Sequence, residues 1–131
     1  MDRVFLDANV LFSAAYRGDS ALARLWALPD ARLVTCDLAL EEARRNLEGT
    51  EALGRLDRLA GSLEVVGTVA GTAAWLPTEH PQPLNDRLIL ATAVAAGATH
   101  FLTGDRRHFG PLYGQTVEGV QVMRPSAYLN R

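Results

Sequence analysis

The chain has 131 residues, 48% of them hydrophobic and 21% charged, with a formal net charge of −2. That is the size and balance of one domain, residues 1–131, with enough apolar surface for a core; the most apolar run, Leu88 to Ala98, follows Asp86 and Arg87 and is too short to span a membrane. A single cysteine, Cys36, excludes an internal disulfide, fits a reducing cytoplasm and, among apolar neighbours, reads as a buried inert thiol.

In chain order, Arg3-Val-Phe-Leu-Asp7 reads as a short buried strand ending in an acid, entered so directly from Met1 that no signal peptide is expected. Val10 to Tyr16 is helix-like. Gly18-Asp19-Ser20 interrupts it and can cap a second helix, about Ser20 to Leu28, before a turn at Pro29-Asp30. Arg32 to Thr35 is a second strand. Asp37 can cap a helix running to about Leu47, Glu51 to Ala60 suggests another, and Leu63 to Val66 a third strand. Pro77 to Pro83 holds three prolines and reads as a loop. Leu84 to Ala96 is a helix closed by Gly97, Thr99 to Leu102 a strand, Thr103-Gly104-Asp105 a turn, and Val120 to Met123 a last short strand. Strands alternating with helices predict a parallel sheet covered on both faces.

Sites in such sheets form beyond the carboxyl ends of the strands. Asp7 follows the first strand and Asp105 the strand Thr99 to Leu102, so both should emerge at one edge. Asp86 lies in the first turn of the helix before that strand, and Glu41 and Glu42 on the helix after the second. Singly, each acid has an ordinary reading: Asp7 and Asp86 sit where acids favour helix starts, Asp105 where acids serve turns, and one glutamate is expected to face solvent. Glu42 is the preferred inward residue because it falls at helical spacing from Leu38. Asn9 offers an amide that can orient Asp7 or a bound water, or serve as a cap.

Four carboxylates together at one edge repel, and one takes up a proton unless a cation sits between them. Oxygen-only donors suit Mg²⁺ or Mn²⁺, which keep open positions for water and phosphate and can activate water for attack on a phosphodiester. No Cys/His set has zinc spacing; His80, His100 and His108 are scattered and read as structural or exposed.

Val4-Phe-Leu-Asp7-Ala-Asn9-Val-Leu11 resembles the opening motif of PIN-domain proteins, and Asp86 through Gly97 and Thr103-Gly104-Asp105 to Phe109 resembles that family's carboxy-terminal half in order and spacing. Thr35 to Leu47 is similar to its glutamate-bearing middle segment, although the adjacent Glu41-Glu42 departs from many relatives. The resemblance implies a three-layer α/β/α sandwich with a central parallel sheet, and an endoribonuclease dependent on Mg²⁺ or Mn²⁺. It implies catalytic, metal-binding roles for Asp7, Glu42, Asp86 and Asp105, with support from Asn9 and Thr103. Many small bacterial relatives are VapC-type toxins of type II toxin–antitoxin pairs, so an RNA substrate, an antitoxin partner and a homodimer are expected. A stand-alone RNA-processing nuclease, or a non-catalytic binding module on the same fold, is the alternative.

Phosphatases of the haloacid dehalogenase type and phospho-accepting receiver domains also begin with a strand ending in Asp. Both need a lysine to meet phosphate, and this chain has none; the former also needs a second Asp where Asn9 stands. All 13 basic residues are arginine, whose forked donors match phosphate, and setting four of the 15 acids apart leaves 11 against those 13. Arg87, Arg106 and Arg107 adjoin two of the proposed acids and are candidate RNA contacts, the alternative being solvated surface charge.

Overall fold

A computed structural model describes residues 1–71 and 83–131. His80 and most of the Pro77–Pro83 loop lie outside the described residues. The strands are β1 (Asp2–Leu6), β2 (Ala31–Cys36), β3 (Glu64–Val66), β4 (His100–Leu102), β5 (Thr116–Val117) and β6 (Val120–Met123); the helices are α1 (Ala8–Tyr16), α2 (Asp37–Asn46), α3 (Thr50–Ala60), α4 (Leu84–Ala95), α5 (Arg106–Phe109) and α6 (Pro125–Leu129). They form one sheet in the order β3-β2-β1-β4-β6-β5, parallel throughout except that β5 runs antiparallel to β6.

From β1 the chain steps to β2 and then β3 in one direction, and α1, α2 and α3 lie on those crossovers. From β3 it returns through α4 to β4, on the other side of β1. Because such crossovers are right-handed, reversing their direction puts the connecting helices on the opposite face. The α/β/α sandwich expected from the sequence follows. The reversal also makes β1 and β4 the switch point of the sheet, where a crevice opens beyond the carboxyl ends of the strands.

The centre is apolar because adjacent strands put their largest side chains in register. Phe5 lies opposite Val34 on one side and Phe101 on the other, the two rings stacked with centroids 5.9 Å apart. Phe109 on α5 closes on Phe101 at 5.3 Å. All three phenylalanines are fully buried, each contributing about 1.5–3 kcal/mol from removal of apolar surface. Cys36 is buried too, and burial pushes its thiol pKa up, in keeping with an inert side chain.

Charges at the amino ends of the strands are compensated. Arg3 donates to the Ala96 carbonyl at the end of α4 and makes two hydrogen bonds, 2.9 and 2.5 Å, to Glu64 at the start of β3. Tyr128 on α6 donates to Asp2 at 2.8 Å, and the Arg131 guanidinium lies 3.8 Å from the centre of the Tyr128 ring.

Three local features differ from the sequence reading. The Ser20 segment is a 3-10 helix, Ala21–Ala27, capped by the Ser20 hydroxyl as expected. Asp37 is the first residue of α2 rather than its cap; besides the Leu38 amide, its carboxylate accepts from the backbone and the hydroxyl of Thr68, pinning the segment after β3. The helices α5 and α6 and the β5–β6 hairpin were not anticipated. Glu118 and Gly119 make the hairpin turn with φ of 49° and 85°, the left-handed pair that a two-residue turn needs. Among the described residues, no helix is long and apolar enough to cross a membrane.

Candidate active site

Asp7 leaves β1 and starts α1. Its amide donates to the Leu102 carbonyl at 3.1 Å, which fixes the end of β1 against β4. Its carboxylate is committed on both oxygens: Oδ1 accepts the Ala8 amide at 2.8 Å, and Oδ2 accepts the Thr103 hydroxyl at 2.8 Å and the Asn9 amide nitrogen at 3.0 Å. Asp7 is therefore a cap in form, as its position suggested, but one that burial makes costly. Burial chiefly, with Asp86 and Glu42 adding repulsion, pushes its pKa from 3.8 up to about 7 despite those hydrogen bonds.

Asn9 and Thr103 hold Asp7 from two elements. The Asn9 carbonyl accepts the Gly104 amide at 2.7 Å, and Thr103 Oγ1 accepts the Asp105 amide at 3.1 Å. Gly104 permits this closeness, since a Cβ there would stand 3.2 Å from Asn9 Oδ1. Thr103 is fully buried, and its carbonyl receives the Tyr113 hydroxyl at 2.9 Å. The turn read from Thr103-Gly104-Asp105 is thus the clamp between the ends of β1 and β4.

Asp86 is the third residue of α4, whose cap position is Pro83, and no side-chain capping bond is made there. Its carboxyl faces inward instead. Its pKa is raised from 3.8 to about 6, chiefly by burial; His108 opposes the rise, and Asp105 and Glu42 add to it. Asp105 caps α5: Oδ1 accepts the His108 amide at 3.1 Å, while Oδ2 meets His108 Nδ1 at 2.7 Å. Glu42 on α2 is steadied by Asn85, which donates to Oε1 at 2.8 Å. Glu41 lies exposed, 3.7 Å from Arg45.

Asp7, Asn9, Glu42, Asp86 and Asp105 line one cavity of about 330 Å³, with Phe12 on its wall. The three arginines proposed as RNA contacts do not line it: Arg106 and Arg107 are exposed on α5, and Arg87 is half-buried, its Nε without a hydrogen-bond partner among the described residues.

His108, read from the sequence as structural or exposed, lies against two of the acids. Its Nδ1 lies 2.7 Å from Asp105 Oδ2 and 3.3 Å from Asp86 Oδ2. One donor atom each from Asp86, Asp105 and His108 falls within a mutual 4.8 Å, the spacing of a metal-binding group. Asn85 was missed as well. The available signals were weak: an Asn beside Asp86 at a helix start, and a His three residues after Asp105.

The donor chemistry fits a divalent cation. Carboxylate oxygens dominate, two of the acids are held well above their ordinary pKa, and among the described residues no arginine side chain lines the cavity to offset them.

The PIN domain family model matches residues 4–110. Among solved structures, the fold resembles VapBC2 from Rickettsia felis bound to a DNA fragment from its promoter, at TM-score 0.70 and 17% identity over 93% of this chain and 98% of that one. It also resembles a toxin–antitoxin complex from Klebsiella pneumoniae, at TM-score 0.65 and 19% identity over 93% and 97% of the two chains. Mycobacterium tuberculosis VapC20, a Sarcin-Ricin loop cleaving toxin, aligns at TM-score 0.59 and 21% identity over 78% and 91%. No curated protein matches the chain.

Proposed function

Because the chain belongs to the PIN-domain family, we propose that it is a metal-dependent endoribonuclease, the toxin of a type II toxin–antitoxin pair, whose cation is Mg²⁺ or Mn²⁺ held by Asp7, Glu42, Asp86 and Asp105. The observation that carries this reading is the convergence of those four acids on one cavity, with Asp7 and Asp86 displaced to about 7 and about 6. Holding carboxylates this way costs stability and serves a site that a cation completes.

When bound, the cation supplies Lewis-acid stabilisation to a phosphodiester and acidifies water. The chain's own residues do the positioning. Asn9 and Thr103 lock the Asp7 carboxylate into one orientation, and Asn85 does the same for Glu42. Asp86 is exposed to the charge of both Asp105 and Glu42, which raise its pKa beyond what burial does alone. Phosphate contacts fall to the exposed Arg106 and Arg107, at the cavity's margin in sequence. The antitoxin partner is supported by the similarity to the two toxin–antitoxin assemblies, and an RNA substrate by the similarity to VapC20. A homodimer and a cytoplasmic location complete the proposal.

Purified protein incubated with a mixed RNA pool should cut it in Mg²⁺ or Mn²⁺ and stop on addition of EDTA. Mn²⁺ should also raise the melting temperature of the metal-free protein, since a ligand of the folded state alone stabilises it. No cleavage in either metal, together with no thermal shift, would leave a binding module on a nuclease fold.

A further inference from the structure

We propose that His108 is itself a ligand of this cation site, its imidazole Nδ1 joining the carboxylates of Asp86 and Asp105 among the donors, and that the site prefers Mn²⁺ or Co²⁺ to Mg²⁺. The inference rests on the metal-dependent reading above and adds a nitrogen donor to it. His108 Nδ1 stands 2.7 Å from Asp105 Oδ2 and 3.3 Å from Asp86 Oδ2. An octahedral shell with bonds near 2.1 Å spaces adjacent donors about 3.0 Å apart, and the two separations straddle that value.

The imidazole is placed by the fold rather than by chance rotation of a surface side chain. Phe109, the next residue, is fully buried and packs on Phe101 at 5.3 Å, which anchors the single turn of α5 against the sheet. The same turn is capped by Asp105, whose Oδ1 takes the His108 amide and whose Oδ2 is thereby turned toward the ring. The division leaves one Asp105 oxygen structural and one available. Asp86 reaches the same nitrogen from α4, so the three donors come from two separate elements, α4 and the start of α5.

A nitrogen donor changes which ion fits. Mg²⁺ is hard and favours oxygen, while imidazole suits the later first-row metals, whose affinity for a mixed site rises from Mn²⁺ to Co²⁺ and Ni²⁺. An all-carboxylate cavity follows the same order less steeply, and a nitrogen donor sharpens the discrimination against Mg²⁺. If His108 served only to orient Asp105 by a hydrogen bond, no nitrogen would touch the ion, and the two arrangements are separable by spectroscopy.

The test uses Mn²⁺ alone, without RNA. Pulsed electron paramagnetic resonance on the Mn²⁺-loaded wild-type protein should show ¹⁴N modulation from a coordinated imidazole, and H108Q should lose it. Competition of Mn²⁺ against Mg²⁺, followed by the free-ion Mn²⁺ signal, should show the preference for Mn²⁺ falling about tenfold in H108Q, with Mg²⁺ affinity less affected. Bound Mn²⁺ with no ¹⁴N coupling in the wild type, or an unchanged Mn²⁺/Mg²⁺ ratio in H108Q, overturns the inference and leaves the nuclease reading standing. Absence of Mn²⁺ binding to the wild type overturns both.

Discussion

Asp7→Asn isolates the cost of a buried acid. In the folded protein the Asp7 carboxyl titrates at about 7 rather than its ordinary 3.8, chiefly because it is buried. Between about pH 4 and pH 7, therefore, the folded state keeps a proton that the unfolded chain has released. Stability must fall as pH rises through that window, by about 1.4 kcal/mol per pH unit. The loss accumulates to about 4 kcal/mol, as an order of magnitude, and stops above pH 7. Asparagine cannot ionise and removes this slope. It also brings an NH₂ group to a place where Ala8, Asn9 and Thr103 all present donors, at a cost of about 1–3 kcal/mol. The two stability curves should accordingly cross, with the variant weaker near pH 4.5 and stronger near pH 8. Asp86, raised to about 6, slopes the same way in both proteins; what survives in the difference is its repulsion of the Asp7 carboxylate, a smaller effect than burial. Asp2, Asp37 and Glu64 are held below their ordinary values, so their contribution disappears only as pH falls through their folded values, below this window. Urea denaturation in EDTA at several pH values measures the difference. A gap between the two proteins that stays constant from pH 4.5 to pH 8 would refute the reasoning.

Glu42→Gln should lower cleavage roughly 100-fold, the scale on which removing one electrostatic interaction from a catalytic site is felt, while Glu41→Gln leaves the rate near wild type in the same assay. Gly104→Ala should push the Asn9 amide off the Gly104 nitrogen, costing about 1 kcal/mol of stability; a fall in activity of about fivefold is expected if the same energy is missing in the transition state. Thermal melts and initial rates check the pair. Replacing Arg106 and Arg107 by alanine should weaken binding to all RNA sequences alike and flatten the log–log salt dependence by about 0.7 for each single-strand phosphate that is no longer neutralised, as read by filter binding or anisotropy across a salt series.

The sequence made the sheet and its acidic edge legible where long-range placement follows from simple rules. Asp7 and Asp105 stand directly after apolar strands that a parallel sheet aligns, so their meeting needs no knowledge of side-chain contacts. Helical spacing from Leu38 favours Glu42 over Glu41 without excluding Glu41, and Glu42 is the one that lines the cavity. His108 was illegible for the opposite reason. Its approach to Asp86 depends on one turn of helix, Arg106–Phe109, too short to show a period and fixed by the burial of Phe109 against Phe101. Asp37 misled because an acid at a helix start satisfies the capping pattern whether or not it caps; its partner, Thr68, is 31 residues away. The β5–β6 hairpin hid in two residues of strand, and the turn dipeptide Glu118-Gly119 carries only half of the usual signal, a glycine without the Asn or Asp that most often precedes it.

The pairing of Arg3 with Glu64, and of Asp2 with Tyr128 and Arg131, occupies the rim of the sheet opposite the cavity. One rim is therefore electrically closed, and the other is left open to whatever ion or polyanion arrives. A molecule arranged this way can be recharged at its working end without loosening the struts at its base. Neutralising acids around the cavity, singly or in combination, should yield proteins that still fold, a tolerance that would let such a chain be disarmed yet keep its shape.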